Sequence, residues 1–406
     1  MGFPTPLHER TSALCKSLKW KEWAGYFAVE RYGVTHDEEY FAIRETAGLL
    51  DVSPLYKYDF VGKAAETVVN RILARDVSRM KDGQVAYCCW CEEDGNALDD
   101  GTVFRFSKDH FRISAANPSY LWFSENLLGL DVKLTDRSAS IAALALQGPM
   151  SRDILKRACR AELDSLGYFR MTQAQFDGFE ATVSRTGFTG DLGYEIWVEA
   201  GHATALWDQL LEAGAVFGIM PIGLLALDMA RIEAGFMLID VDFKSSAHCI
   251  TPEQRSNPYE IGLGWTVHLD KRSFVGQRAL RELKAADLEE QVVGLEIDMV
   301  ELEKLYERKG LPVSVPGTAW RCNVPLWDLA GSRQIGRATS GVWSPLLKKY
   351  ICIATVDRPY IEPGSKLLFD TLVDYERKLV GARVVEKPFF DPERKKAVVQ
   401  RELVHA

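Results

Sequence analysis

Near residue 290 the hydrophobic pattern of this chain changes, and that change constrains the fold more than any other feature. Before it, helical stretches alternate with short strand-like runs. HATALWDQLLEAGAVFG (202–218) places Leu206, Leu210, Ala213 and Phe217 on one helical face. GLLALDMARIEAG (223–235) follows Pro221 as a second helix, stopped by Gly235. After residue 290 the helices fade. QVVGLEID, PLWDLAGSRQIGRATSGVWSP, YICIATVDR, SKLLFD and VGARVVE are short strands broken by Gly and Pro, the pattern of a small β-barrel or jelly roll. A domain boundary is expected at 285–292, with 302–320 as an exposed insertion in the barrel. At 406 residues the chain is too long for one ordinary core.

The earlier part reads as strands paired through turns. TAGLLDVSPLYKYDFVG predicts a strand on each side of Ser53-Pro54, and KAAETVVNRILAR (63–75) a helix carrying Ala64, Val68 and Ile72 on one face. VAYCCW, GTVFRF and HFRISAA predict an antiparallel sheet, PSYLWFSENLLGL (118–130) a helix closing near Gly129. IAALALQGP (141–149) is a strand running into the helix SRDILKRA; ATVSRTG and YEIWVEA then flank a glycine loop. Helices mixed with antiparallel strands give an α+β class rather than a doubly wound sheet.

Charge and composition narrow the function. The formal charge is −8, and no basic stripe carries interleaved aromatics, so a nucleic-acid backbone is not the expected partner. No apolar run approaches the roughly 20 residues that span a bilayer. MGFPTPLHERTSALC lacks the pattern of a signal peptide, so no membrane association and a cytoplasmic location are expected. The basic tail ERKKAVVQRELVHA reads as a solvated terminal segment. Cys88 and Cys91 form a C-x-x-C, but no second Cys or His pair follows at finger spacing. Core or pocket-wall cysteines, and no metal, are expected.

The stretch SRTGFTGDLGYEIW (184–197) raises the sharpest chemical question. Three glycines could cradle a phosphate, but that needs a helix N-terminus after the loop. YEIWVEA alternates with period two instead, so the segment is a glycine-rich hairpin whose glycines permit φ > 0 and close approach of a ligand. On the following strand Tyr194, Ile196 and Val198 share one face, and Glu195, Trp197 and Glu199 the other. Glu195 is either a solvated acid or a carboxylate beside Trp197 and Phe188, suited to a flat heterocycle with amide-like donors. Three further features are ambiguous alone. Asp99 and Asp100 form a pair whose side chains must face opposite ways on a strand. Arg231 lies three residues after Asp228, which permits a helical ion pair. Asn117 precedes Pro118 and could cap the next helix.

Taken in order, these segments resemble the aminomethyltransferase (glycine-cleavage T-protein) family, which uses tetrahydrofolate as one-carbon acceptor. The matching stretches are AIRETAGLLDVSP (42–54), GNALDDGTVF (95–104), FRISAAN (111–117), LALQGP (144–149) and SRTGFTGDLGYEIW (184–197). GLLALDMARIEAGFML (223–238), LGWTV (263–267), FVGQRAL (274–280) and GRATSGVWSP (336–345) continue the set, and VVEKPFFDP (384–392) is similar to a common family ending.

The resemblance implies a three-domain ring: two α+β domains (1–55 with 140–240; 56–139 with 241–288) and a β-barrel (289–406). It implies Glu195 and Asn117 on the pterin edge, Tyr87, Phe188 and Arg231 lining the folate site, and Asp99 as the acid near folate N5. A pterin offers a ring N–H and an amino group, which a carboxylate can accept as two hydrogen bonds. A second carboxylate can take the proton from N5 as it attacks the donor carbon.

Departures from the family pattern lie on the donor side. Ala24-Gly25-Tyr26-Phe27 stands where glycine-cleavage members carry a Gly-Trp-Met-Pro-like segment. Cys-Cys-Trp-Cys-Glu (88–92) replaces the usual Met-Leu stretch, Phe188 replaces a Tyr, and Gly101 replaces an apolar residue. The expected reaction is therefore methyl transfer to N5 of tetrahydrofolate from a small methylated amine, sulfonium or aryl ether. The alternatives are aminomethyl transfer from a lipoyl carrier protein, giving 5,10-methylenetetrahydrofolate and ammonia, and a non-catalytic folate-binding protein. The last lacks the Lys-Gly-Cys-type segment of such relatives.

Overall fold

The structure, a computed structural model, describes residues 2–398. Its contacts divide the chain into two compact units. The first holds Met1–Cys88, Asp100–Ala230 and a C-terminal segment from Asp391; the second holds Cys89–Asp99 and Arg231–Phe390. Among the described residues no helix is long and apolar enough to cross a membrane.

The centre of the first unit is a six-stranded sheet. Its order is Met171–Gln175, Glu180–Ser184, Gly193–Glu199, Ile141–Gln147, Ala47–Asp51 and Ile219–Pro221, the last pair parallel and the rest antiparallel. Every residue of Ile141–Gln147 is buried, as a central strand covered on both faces requires. Tyr194, Ile196 and Val198 join Leu144, Leu146, Leu206, Trp207 and Leu210 in one core, where Ala203–Gly214 lays its apolar face. A second sheet is ordered Gln84–Cys91, Ala97–Ser107, His110–Ala115, Tyr56–Val61 and Lys133–Asp136. The tip of its first hairpin, Cys89–Asp99, belongs to the second unit.

The second unit contains a closed six-stranded barrel: Glu290–Ile297, Lys349–Asp357, Gln334–Ser344, Trp320–Trp327, Lys366–Val373 and Glu376–Val385, which returns to the first strand. Closure leaves no open sheet edge. The segment expected as an insertion does structural duty in its first third. Residues Met299–Glu307 form a helix capped by Asp298, whose carboxylate accepts from the Glu301 amide at 3.0 Å. Leu302 is 2% exposed in the barrel core. Residues 308–319 are exposed apart from three half-buried positions, Val315, Pro316 and Ala319.

Two further segments differ from expectation. The helix expected at 118–130 runs only from Tyr120 to Glu125, because Leu128 and Gly129 take positive φ and end the turn. Residues Lys19–Trp23 and Tyr26–Arg31 form a hairpin that the sequence did not signal. Its two-residue loop is Ala24-Gly25, with φ of 48° and 84°, the positive pair that a tight mirror-image turn needs. The donor-side departure is thus a turn. The described part of the tail, from Glu393 to Val398, is exposed as expected except at Lys395, which is buried; Arg394 and Lys395 also pair with Asp191 and Asp391. Residues 399–406 of the expected tail lie outside the described residues.

Candidate functional site

Core packing of Tyr194 and Ile196 turns Glu195 to the opposite face of its strand, in register with Ala145 and Ser184. There Thr186 Oγ1 donates to Glu195 Oε2 at 2.5 Å and contacts Ser184 Oγ at 2.8 Å. Burial pushes the Glu195 carboxyl up from its ordinary value, and the Thr186 hydrogen bond opposes that push. Thr186 is its side-chain partner among the described residues, so Oε1 remains available to a ligand. A half-buried carboxylate with an unused oxygen suits a donor-rich heterocycle edge.

The glycines of the loop serve a residue that sequence reasoning passed over. A Cβ at Gly187 or Gly193 would lie 2.0 or 2.2 Å from Gln147 Oε1. Gln147 is 1% exposed; its amide donates to the Thr186 and Tyr194 carbonyls, and its oxygen accepts from Thr189 Oγ1 at 2.9 Å. These two glycines therefore clear space for Gln147 rather than for a ligand ring, while Gly190 supplies a φ of 74°. Gln147 ties together both ends of the loop that places Thr186. The signal was present in IAALALQ: one amide in an otherwise apolar buried strand must be satisfied.

The acid pair divides as period two dictates. Asp99, the expected acid beside N5, is 1% exposed and belongs to the second unit. Asp100 belongs to the first, and its carboxylate accepts a hydrogen bond from the Tyr87 hydroxyl. Burial raises the Asp100 carboxyl to about 6, against the Tyr87 bond that lowers it. Tyr87 is itself fixed by its backbone, whose carbonyl accepts from Arg75 Nε at 2.6 Å. Gly101 next to the pair is required by strand contact: a Cβ there would sit 1.9 Å from the Ser114 carbonyl oxygen.

Asn117 and Phe188 are half-buried in the first unit. Asn117 does not cap the next helix; that position is Ser119. Arg231, expected to line the folate site, belongs to the second unit and is 1% exposed. Its guanidinium pairs with Asp242 at 2.5 Å and donates to Ser340 Oγ and the Phe236 carbonyl. Asp242 also accepts from Thr339 and Ser340 at 2.6 Å. The pair fastens residues 236–242 to the barrel strand Gln334–Ser344. Cys88, Cys89 and Cys91 are buried; Cys89 Sγ lies 3.3 Å from Thr266 Oγ1 and Cys88 Sγ 3.6 Å from the Gly101 carbonyl.

A family model described as the GCVT N-terminal domain matches residues 7–271, and the glycine cleavage T-protein C-terminal barrel domain matches 291–391. The chain is 32% identical over 391 residues to an aminomethyltransferase of Desulfitobacterium hafniense, covering 95% of this chain and 97% of that one. It is 34% identical over 395 residues to an aminomethyltransferase of Rubrobacter xylanophilus, with 96% and 95% covered. A trimethylamine-oxide aldolase of Ruegeria pomeroyi is 35% identical over 370 residues; the match covers 88% of this chain and 43% of that protein. The crystal structure of glycine cleavage system aminomethyltransferase T from Bartonella henselae superposes with a TM-score of 0.81 at 23% identity, covering 96% of this chain and 99% of that one, a likeness of fold. Family matches on both parts of the chain, and relatives above 30% identity along nearly all of it, show that it belongs to the glycine cleavage T-protein family of aminomethyltransferases.

Proposed function

We propose that this enzyme is a tetrahydrofolate-dependent one-carbon transferase that moves a methyl group from a small methylated donor to N5 of the folate. The observation that carries the reading is a pair of half-buried carboxylates in the first unit, Glu195 with a free oxygen and Asp100 raised to about 6. Tetrahydrofolate supplies the N5 nucleophile. Glu195, oriented by Thr186, accepts from the pterin ring N–H and amino group; Asn117 and Phe188 line that site. Asp100 takes the acid–base role expected of Asp99, receiving the proton that N5 loses as the N–C bond forms. The donor retains the electron pair of the bond it breaks. A carboxyl near 6 is well matched to this task, being ionised at pH 7 yet basic enough to accept a proton. Arg231 holds residues 236–242 to the barrel strand Gln334–Ser344.

Support for a small methylated donor comes from the Ala24-Gly25 turn and the cysteine-rich strand, two places where the sequence departs from the family pattern. The relative named a trimethylamine-oxide aldolase is consistent with it. A second reading, aminomethyl transfer from a lipoyl carrier protein with release of ammonia, is favoured by the relatives named aminomethyltransferase. Incubation with tetrahydrofolate and a panel of methylated amines, sulfonium compounds, aryl methyl ethers and aminomethyl-lipoyl carrier, followed by mass spectrometry of the folate, separates the two. A 5-methyl product supports the first reading; 5,10-methylene product from the carrier alone replaces it with the second. Glu195→Gln should weaken tetrahydrofolate binding by about 1.5–3 kcal/mol, as loss of a charged hydrogen-bond acceptor does; unchanged calorimetric affinity would remove Glu195 from the site.

A further inference from the structure

The residue next to Thr186 is Arg185, a fully buried arginine that none of the chemistry above uses. Its guanidinium donates to four carbonyl oxygens: Leu166 at 2.9 Å, Arg394 at 3.2 Å, Lys395 at 2.9 Å and Ala397 at 2.7 Å. Three of the four belong to the C-terminal segment. Arg152 donates to the Ala397 carbonyl as well, at 3.2 Å, and to the Tyr194 hydroxyl at 3.0 Å. On the other side of the loop, Arg394 forks onto Asp191, with contacts of 2.7 and 2.8 Å to its two oxygens. The Asp191 side chain is fully buried, and Arg44 is its second cation, at 3.5 Å. Tyr168 completes the contact: Lys395 Nζ lies 5.7 Å from its ring, and both Asp391 and Glu195 bear electrostatically on its hydroxyl.

The segment from Asp391 to Ala397 is thus fastened to both flanks of the loop 185–192, at Arg185 beside Thr186 and at Asp191. Buried charge makes the two sides interdependent. Without the tail, Arg185 would keep one of its four carbonyl acceptors, and Asp191 would lose its forked partner; both are costly in a desolvated place. We propose that Arg185 and Arg394 are positioning residues for Glu195, and that docking of Asp391–Ala397 and binding of tetrahydrofolate are thermodynamically coupled. The proposal rests on the reading that Glu195 holds the pterin. Reciprocity is its signature: if the docked tail favours folate, folate must favour the docked tail by the same factor. A tail that merely adds stability would not respond to the ligand.

The test uses the full chain, with amide hydrogen exchange followed by mass spectrometry with and without saturating tetrahydrofolate. The amides of Lys395, Lys396 and Ala397, which donate to Pro392 and Glu393 carbonyls, should exchange more slowly with folate bound. Arg394→Ala should weaken folate affinity by ~5-fold or more, the lower end of ordinary coupling, and abolish the folate-dependent protection of the tail. Should that variant fold poorly, Arg394→Lys keeps the charge while losing the forked contact and should show the same trends. Folate-independent exchange in the tail, with residues 193–199 protected, would overturn the coupling and leave the Glu195 site intact. Wild-type folate affinity in a folded Arg394 variant would overturn it equally. If Glu195→Gln binds normally and residues 193–199 gain no protection, the folate reading of Glu195 fails and this proposal fails with it.

Discussion

With the acid–base role proposed for it, Asp100 links stability to turnover through one carboxyl. An aspartate ordinarily titrates near 3.9, and burial carries this one to about 6. Because the folded value is raised, the fold favours the protonated form. Its contribution is most favourable below about pH 4 and is lost as pH rises through about 6. Asp100→Asn should therefore be more stable than wild type at pH 7.5 and no more stable at pH 4, read from thermal melts at both values. The same variant should lose about 10²-fold or more in kcat, the scale of general acid–base catalysis. It should also lose the acid limb near pH 6 from its pH–rate profile. A wild-type profile would assign the acid–base role elsewhere. Which of the two adjacent acids pairs with Tyr87 was not legible in DDG, because alternation fixes only that they differ. The choice depends on the hydroxyl of Tyr87, thirteen positions earlier on the partner strand.

At the scale of elements, two segments make different demands on their neighbours. The Glu195 hairpin is built around Gln147, so Gly193→Ala should be strongly destabilising even though alanine costs a strand less backbone entropy than glycine. Pairing it with Gln147→Ala should recover part of the loss, a coupling that a double-mutant cycle by urea denaturation would measure. The barrel helix Met299–Glu307 contributes through Leu302, and Leu302→Ala should cost about 2–5 kcal/mol, the range for a buried leucine. A loss below about 0.5 kcal/mol, the scale of surface changes, would return this segment to the status of an insertion. The strands of both parts were readable because their apolar residues alternate or cluster between Gly and Pro. The hairpin at Ala24-Gly25 was not, because Ala is a poor residue for positive φ and gives no turn signal. For Arg231, spacing offered Asp228 and gave no sign of Asp242, which the tertiary fold brings to it.

For the whole molecule, the interleaving of the two units matters most. The tip Cys89–Asp99 is part of the second unit by packing as well as by contact. Ala97 N donates to the Ser256 carbonyl at 2.8 Å, and a Cβ at Gly276 would lie 2.6 Å from the Glu92 carbonyl oxygen. A fragment spanning 231–390 should therefore be less stable than the same fragment with 89–99 covalently attached, by urea midpoint. Equal midpoints would show the tip to be dispensable. No sequence pattern announces such an exchange, since a hairpin tip has the same composition whichever neighbour it packs on.

The tail sets a further consequence, one of timing. During synthesis, the 160 residues of Arg231–Phe390 leave the ribosome after the body of the first unit and before the segment that Arg185 grips. At about 5–20 residues per second, that interval is roughly 8–32 s. Throughout it, Asp191 waits without Arg394 and Arg185 without three of its four carbonyl acceptors. The nascent first unit is thus held below its final stability until the tail emerges. Slowing translation across the barrel would prolong its exposure to proteases and chaperones.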